Sequence, residues 1–240
     1  MQLGKNMSKA ILIISLFGNA LSIIVAWFVI QRFGGLDYIF YRFNNPEVIS
    51  NQVHRRSILN HLKIDSTDII MLGNSLTAYA EWSEILENPS FKNRGIPGET
   101  LEGVRQRIPT ILESKPSKLF LMIGINDLMY HDADWVLKKY ENVLEEIYPM
   151  VVSTDLVIQE ILPVNEKVQS LTTNNTEIQK VNAGLKLLAE KYKLSFLPLF
   201  DRFLDTEGQL KSSFTSDGVH VNAAAYEVWK NALQDFMSAT

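Results

Sequence analysis

Four short polar clusters in this chain of 240 residues hold the groups that nucleophilic catalysis requires. Ser75 could act as a nucleophile if His220 takes its proton near neutral pH. Asp217, three residues before His220, could bind the other imidazole nitrogen and stabilise the imidazolium. The backbone N–H groups of Ser75 and Gly95 and the side-chain amide of Asn126 could donate to the oxyanion of a tetrahedral intermediate. These residue types therefore fit acyl transfer.

The same residues lie at predicted element ends, where a fold could bring them together. From Thr67 onward, apolar strands alternate with helices whose apolar residues recur every three or four positions, a pattern typical of a parallel sheet covered on both faces. Ser75, Gly95 and Asn126 come at or just after the first three strands, and His220 precedes the last helix. Because the carboxyl ends of parallel strands meet at one edge, we expect the four clusters to converge there. The predicted strands are Asp68–Gly73, Phe91–Arg94, Lys118–Ile123, Leu156–Ile161 and Ser195–Leu199.

Several of these residues also have a structural interpretation. Asn74 and Ser75 are both favoured as helix caps, so the first cluster alone does not indicate catalysis. Tyr79 and Trp82 follow the nucleophile closely and could either line a substrate pocket or pack in the core. A third alternative explains all four clusters as caps and turns, but it requires them to occur in this order by accident.

Acidic residues near the third strand are predicted to have local roles. Asp127 could be a second acid, but we expect it to fix the loop that carries Asn126. The segment His131–Asp134 could be read as a metal cluster. We instead expect Asp132 or Asp134 to cap the helix that follows.

Taken in order, the four clusters resemble the sequence blocks of the SGNH (GDSL) hydrolase superfamily, particularly esterases similar to the catalytic subunits of platelet-activating-factor acetylhydrolase. The resemblance covers residues 67–238. It implies a flavodoxin-like three-layer α/β/α fold with a parallel five-stranded sheet, and a serine esterase. The clusters that carry it are Gly73–Leu76 (Gly-Asn-Ser-Leu), Asn93–Gly98 (Asn-Arg-Gly-Ile-Pro-Gly), Gly124–Asp127 (Gly-Ile-Asn-Asp) and Asp217–His220 (Asp-Gly-Val-His).

The resemblance also implies a role for each site residue. Ser75 is then the nucleophile and the first oxyanion donor, Gly95 the second donor and Asn126 the third. His220 is the base, and Asp217 orients it. The expected reaction is hydrolysis of small O-acyl esters, acetyl esters above all, carried on a glycan or a lipid, with no metal and no organic cofactor.

Two other functions remain open at this point. An O-acyltransferase would use the same acyl-enzyme and pass the acyl group to a sugar hydroxyl. A catalytically silent, membrane-anchored binding domain would keep only the fold. The second alternative has one supporting feature, because the Gly-Asp-Ser of the superfamily is Gly-Asn-Ser here, with Asn74 in place of the acid.

Composition excludes several other classes of protein. Charged residues make up 21% of the chain and the net charge is −4, so nothing predicts a basic surface for nucleic acid. The chain has no cysteine, which excludes thiolate catalysis and disulfides. The oligomeric state is not predicted.

The amino-terminal segment differs from the rest. Residues 10–30 carry no charged side chain, and their number matches the roughly 20 residues of a membrane-spanning helix. We predict an uncleaved signal anchor in residues 1–31, a linker with a helix in 32–66 and the SGNH hydrolase domain in 67–240, outside the cytoplasm. A cleaved signal peptide and a buried core helix are the alternatives.

Overall fold

The computed structural model describes residues 2–32, 36, 46–168 and 173–239. The chain divides into two compact units, Met1–Ile49 and Ser50–Thr240. The first contains helix α1, Gln2–Arg32. Within the described residues, no helix has both the length and the hydropathy needed to cross a membrane, so the predicted transmembrane helix is not supported.

Five parallel strands form the centre of the second unit. Their order across the sheet is β2-β1-β3-β4-β5, the order of flavodoxin-like doubly wound sheets. The predicted α/β class and the five-stranded parallel sheet are therefore confirmed. The strands are β1 (Ile69–Gly73), β2 (Phe91–Gly95), β3 (Lys118–Met122), β4 (Asp155–Gln159) and β5 (Ser195–Leu197).

Eight more helices are described besides α1, and most of them follow or precede a strand as the alternating pattern predicts. Helix α2 crosses the boundary between the units, and its residues from Ser50 onward belong to the second. Their bounds are α2 (Pro46–His61), α3 (Ser75–Ala78), α4 (Trp82–Ile85), α5 (Leu101–Glu113), α6 (Ile125–Leu128), α7 (Ala133–Ile147), α8 (Asn175–Tyr192) and α9 (Ala223–Ala239).

The continuous apolar run of β3 is buried on both faces. Leu119 and Leu121 belong to a core cluster formed with α5, α7 and α8, whereas Phe120 and Met122 belong to a second cluster formed with α9. All four side chains are almost fully buried. The sheet thus lies between two helical layers, and its carboxyl edge is left for the loops that carry the polar clusters.

Strands β4 and β5 each end two residues earlier than predicted because side chains replace the sheet hydrogen bonds. After β4, the Ile161 N–H donates to the Asn182 side-chain oxygen at 2.8 Å, and the Asn182 amide donates back to the Ile161 carbonyl oxygen at 2.9 Å. After β5, the Leu199 N–H donates to the Glu160 carboxylate at 2.8 Å. Apolar residues continue past these points, which is why their pattern overestimated both strands.

Candidate active site

The first cluster forms a tight turn from β1 into α3. A Cβ atom on Gly73 would lie 2.3 Å from the Thr77 hydroxyl, so only glycine fits at the strand end. Asn74 caps the helix, with its side-chain oxygen accepting from the Leu76 N–H at 3.0 Å. Ser75 follows as the first helical residue, where its N–H has no acceptor within the helix. Capping is therefore the role of Asn74, and it leaves both polar groups of Ser75 available.

The structure brings Ser75, His220 and Asp217 into one hydrogen-bonded chain. His220 Nε2 lies 2.9 Å from Ser75 Oγ, and His220 Nδ1 lies 2.6 Å from Asp217 Oδ2. Burial alone would raise the pKa of Asp217. Hydrogen bonds from the imidazole and from the Val219 and His220 N–H groups outweigh this effect and lower the pKa from 3.8 to about 2. An ionised carboxylate only accepts, so the proton belongs on Nδ1 and Nε2 is free to accept from the serine.

The loop that carries His220 is fixed by bonds that sequence reasoning missed. Asp217 Oδ1 accepts the His220 N–H at 2.8 Å, and Thr215 Oγ1 accepts the Gly218 N–H at 2.9 Å. The Asn165 N–H donates to the Gly218 carbonyl oxygen at 2.8 Å. A threonine two residues before an aspartate is a local turn signal that could have indicated Thr215. Asn165 is distant in sequence and gave no such signal.

Asn126 is oriented by a backbone carbonyl. Its Nδ2 donates to the Glu99 carbonyl oxygen at 2.7 Å, and an amide has a second N–H that this bond leaves available. The neighbouring Asp127 carboxylate accepts from the Leu101 N–H at 3.1 and 3.2 Å, at the start of α5. Asp127 therefore fixes the Asn126 loop, as expected.

Gly95 is held close to the nucleophile turn, but its N–H is already engaged. It donates to Asn93 Oδ1 at 2.8 Å, while the Asn93 amide donates to the carbonyl oxygens of Ala78 and Ala80. A Cβ atom on Gly95 would lie 2.3 Å from the Ala78 nitrogen. Gly95 is thus needed for close packing against the turn that carries Ser75, and its N–H, the predicted oxyanion donor, already has Asn93 Oδ1 as acceptor.

Gly98 is a second donor candidate that the sequence reasoning passed over. It has a φ of 71°, and its N–H has no acceptor in the part of the chain that the structure describes. It immediately precedes Glu99, whose carbonyl binds Asn126. Its position directly after Pro97, in a Pro-Gly turn dipeptide, was the signal that could have indicated Gly98.

Beneath these loops lies a buried ion pair. Arg107 Nε donates to both carboxylate oxygens of Glu99 at 2.9 Å, and its Nη2 reaches the Gly73 carbonyl oxygen at 3.4 Å. Arg56 Nη2 lies 3.4 Å from the same carboxylate. Burial raises the pKa of Glu99, and the two guanidinium groups oppose that effect. Through Arg107, the pair links the turn that carries Ser75 to Glu99, whose backbone carbonyl orients Asn126.

The two aromatic candidates have different surroundings. Tyr79 is 58% exposed, and its ring centre lies 5.4 Å from that of His220. Trp82 is 1% exposed, and its Nε1 donates to the Thr77 carbonyl oxygen at 2.8 Å. Tyr79 can therefore contact a molecule bound at the site, whereas Trp82 packs in the core.

The acidic segment before α7 has a capping role. Asp132 Oδ1 accepts the Trp135 N–H at 2.8 Å, as predicted, and His131 stacks on the Trp135 ring. Asp134 pairs with Lys180 at 3.3 Å. No cluster of three or more metal-ligating side chains occurs among the described residues.

Known proteins resemble this chain both in fold and in the sequence region that contains the four polar clusters. The profile of the GDSL-like Lipase/Acylhydrolase family matches residues 70–228. An N-acylneuraminate cytidylyltransferase of Streptococcus agalactiae is 26% identical over 168 residues, which cover 70% of this chain but only 38% of that protein. The chain thus spans well under half the length of this curated relative.

Two solved structures illustrate the similarity in fold. A candidate platelet activating factor from Streptococcus pneumonia has a TM-score of 0.73 and 26% identity, covering 83% of this chain and 98% of its own. A variant of an acetyl-xylooligosaccharide esterase from Geobacillus Stearmophilus has a TM-score of 0.57 and 18% identity, with 72% and 95% covered.

Asp127 should make the stability of the protein depend on pH. Burial raises the pKa of its carboxyl to about 7 from 3.8, so its stabilising contribution is complete below pH 4 and is lost as the pH rises through 7. Asp127→Asn keeps an oxygen for the Leu101 N–H and removes this dependence. Between pH 4 and 8, the difference in unfolding free energy between parent and variant should change by on the order of 4 kcal/mol.

Urea unfolding at a series of pH values measures this difference. Glu113→Gln, at an exposed carboxyl on α5, is the matched control and should leave the pH profile unchanged. Parallel pH profiles for parent and Asp127→Asn would contradict the raised pKa of Asp127.

Proposed function

The chain belongs to the GDSL-like lipase/acylhydrolase family, and on that premise we propose that it is a serine esterase that hydrolyses small O-acyl esters, acetyl esters above all, through an acyl-enzyme on Ser75. One observation carries the proposal: the hydrogen-bonded chain from Ser75 through His220 to Asp217, at 2.9 and 2.6 Å. It joins a nucleophile, a base and an orienting carboxylate in the order that acyl transfer requires.

The reaction has two halves. As Ser75 Oγ bonds to the acyl carbon, its proton moves to His220 Nε2, and Asp217 stabilises the imidazolium through Nδ1. The tetrahedral intermediate collapses when the ester C–O bond breaks and the leaving alcohol takes the proton from Nε2. Water then repeats the sequence on the acyl-enzyme, giving the carboxylic acid and free Ser75.

The oxyanion is stabilised by donors that are in place before the reaction. The Ser75 N–H at the start of α3 and the second N–H of Asn126 are two of them. The third is a backbone N–H of the loop after β2, for which Gly95, already donating to Asn93, and Gly98, with its N–H unengaged among the described residues, are the two candidates.

Exposure of the site favours hydrolysis of a small acyl group on a bulky carrier. The side chains of His220 and Asp217 are 41% and 43% exposed, so water reaches the base and a large alcohol can remain outside. This supports hydrolysis over transfer to a sugar hydroxyl, which would need water to be excluded. A long acyl chain would gain little burial at such an open site.

The carrier in this proposal is a carbohydrate. The names of two similar proteins refer to sugars, N-acylneuraminate in one and acetylated xylooligosaccharides in the other. The exposed ring of Tyr79 beside His220 is an apolar face of the kind on which a sugar ring can lie. A lipid ester has no comparable support from the described side chains.

The nucleophile is tested with a fluorophosphonate probe and intact-mass analysis of the full chain. One adduct should form, and digestion should locate it on Ser75. Ser75→Ala should lower the turnover of p-nitrophenyl acetate by about four orders of magnitude or more, and His220→Ala should abolish labelling.

Ser83→Ala, a nearby serine outside the site, is the control and should retain both labelling and turnover. A folded protein that forms no adduct, or full turnover in Ser75→Ala, would rule out this mechanism. The catalytically silent binding domain would then be the better description.

Substrate preference gives a second test. The turnover of p-nitrophenyl acetate should exceed that of the palmitate ester, and O-acetylated sialic acid or xylooligosaccharide should release acetate. Tyr79→Ala should raise KM for the acetylated sugar and leave KM for ethyl acetate nearly unchanged, since the ethyl group has no ring that could lie on that of Tyr79. Tyr79→Phe keeps the ring and should behave like the parent; equal effects on both substrates would contradict the role of Tyr79.

The extracytoplasmic location of the catalytic domain is part of this proposal and rests on the uncharged segment 10–30 as an export signal, since no described helix is long and apolar enough to cross a membrane. Protease added to intact cells should digest the domain if the location is correct. Protection of the domain until the cells are lysed would contradict it.

A further inference from the structure

A cavity of about 320 Å³ lies between α2, α5 and the end of β2. Ser75, His220 and Asp217 do not line it. Its walls are polar as well as apolar, and they contain four cationic side chains: Arg56, Lys63, Arg94 and Arg107. No step of the proposed esterase reaction uses this cavity.

The cationic charge of the cavity is only partly compensated. Arg107 and Arg56 share the single carboxylate of Glu99. Neither Arg94 nor Lys63 has a carboxylate within 4.0 Å in the described parts of the chain. The four cations therefore face one directly paired acid, and a net positive charge remains at the cavity.

Arg94 is the less compensated of the two buried cations, Arg94 and Arg107. It is 4% exposed, and its guanidinium donates only to the carbonyl oxygens of Asn93 and Lys63, at 3.1 and 3.2 Å. Its Nε is buried without an acceptor among the described residues. The Asp68 carboxylate is close enough to favour the charge, but it is itself paired with Lys92 at 3.6 Å.

Burial lowers the pKa of Arg94 despite the opposing effect of Asp68, and the nearby cations Arg55 and Arg107 lower it further. A buried charge that is paired only with backbone dipoles is costly to keep. An anion in the cavity would supply the missing counter-charge.

We propose that this cavity binds a phosphate group, with Arg94, Lys63 and Arg56 around it. Guanidinium groups bind phosphate oxygens in pairs, and lysine adds a point charge. A phosphate dianion offsets more of the excess charge than a carboxylate does. The volume accommodates the group with several ordered waters, since each water occupies about 30 Å³ in the liquid.

The test is calorimetric titration of the full chain with inorganic phosphate at pH 8 and constant ionic strength. Saturable binding at a single site in the millimolar range or tighter is expected. Lys63→Gln should weaken it about fivefold or more, and Arg94→Met at least tenfold. Lys186→Gln removes an exposed cation far along the chain, on α8, and should leave the affinity unchanged.

Lys63 is exposed, so its variant keeps the test decisive even if Arg94→Met fails to fold. Absence of saturable binding, or equal weakening by Lys63→Gln and Lys186→Gln, would overturn the site. Acetate that binds as tightly as phosphate would overturn the assignment to phosphate. Glucose 6-phosphate serves as the ester arm: tighter binding of the ester or of the free anion each supports the site and identifies which source of phosphate it favours.

Discussion

The candidate active site depends on one buried carboxylate, that of Glu99. Its side chain pairs with Arg107, which also reaches the carbonyl oxygen of Gly73 at the end of β1, and its backbone carbonyl orients Asn126. A Cβ atom on Gly103 would lie 2.7 Å from Glu99 Cγ, so a glycine in the first turn of α5 makes room for the carboxylate. Removing one partner of such a pair typically costs about 3–5 kcal/mol, because the other charge is left buried and unpaired. The turn that carries Ser75 and the side chain of Asn126 therefore share one support, which is rigid because breaking the ion pair costs free energy.

The sheet supplies the second requirement, which is that distant residues meet. Ser75 and His220 are 145 positions apart in the chain, yet they are in hydrogen-bond contact. Gly73 of β1 is paired with Gly95 of β2 on one side and Met122 of β3 on the other, so three successive loops begin at the same level of the sheet. The parallel arrangement fixes this level, and the local hydrogen bonds described above then aim each side chain.

Sequence reasoning predicted what depends on periodicity and failed where the decisive contact is distant or polar. The five strands were found because apolar runs such as that of β3 are buried on both faces. Ends were less accurate, since Asn182 and Glu160 terminate β4 and β5 with side-chain bonds that no local pattern reveals. The Glu99–Arg107 pair, eight residues apart, was not predicted, because no local pattern indicates that both side chains are buried. Gly95 and Gly98 could not be distinguished as donors, because the difference lies in the Asn93 side chain that occupies one of them.

Asn74 shows how a departure from a superfamily pattern can be weighed by what the side chain does. The oxygen of Asn74 caps α3 through the Leu76 N–H, a task that an amide performs as well as a carboxylate. The cost of the amide is its buried Nδ2, which has no acceptor among the described residues. That cost lowers the stability of the fold and not the activity, since it displaces neither the Ser75 hydroxyl nor the Ser75 N–H. Because the acceptor is what the turn needs from this position, loss of the charge is weak support for a catalytically silent domain, and the esterase interpretation keeps its advantage.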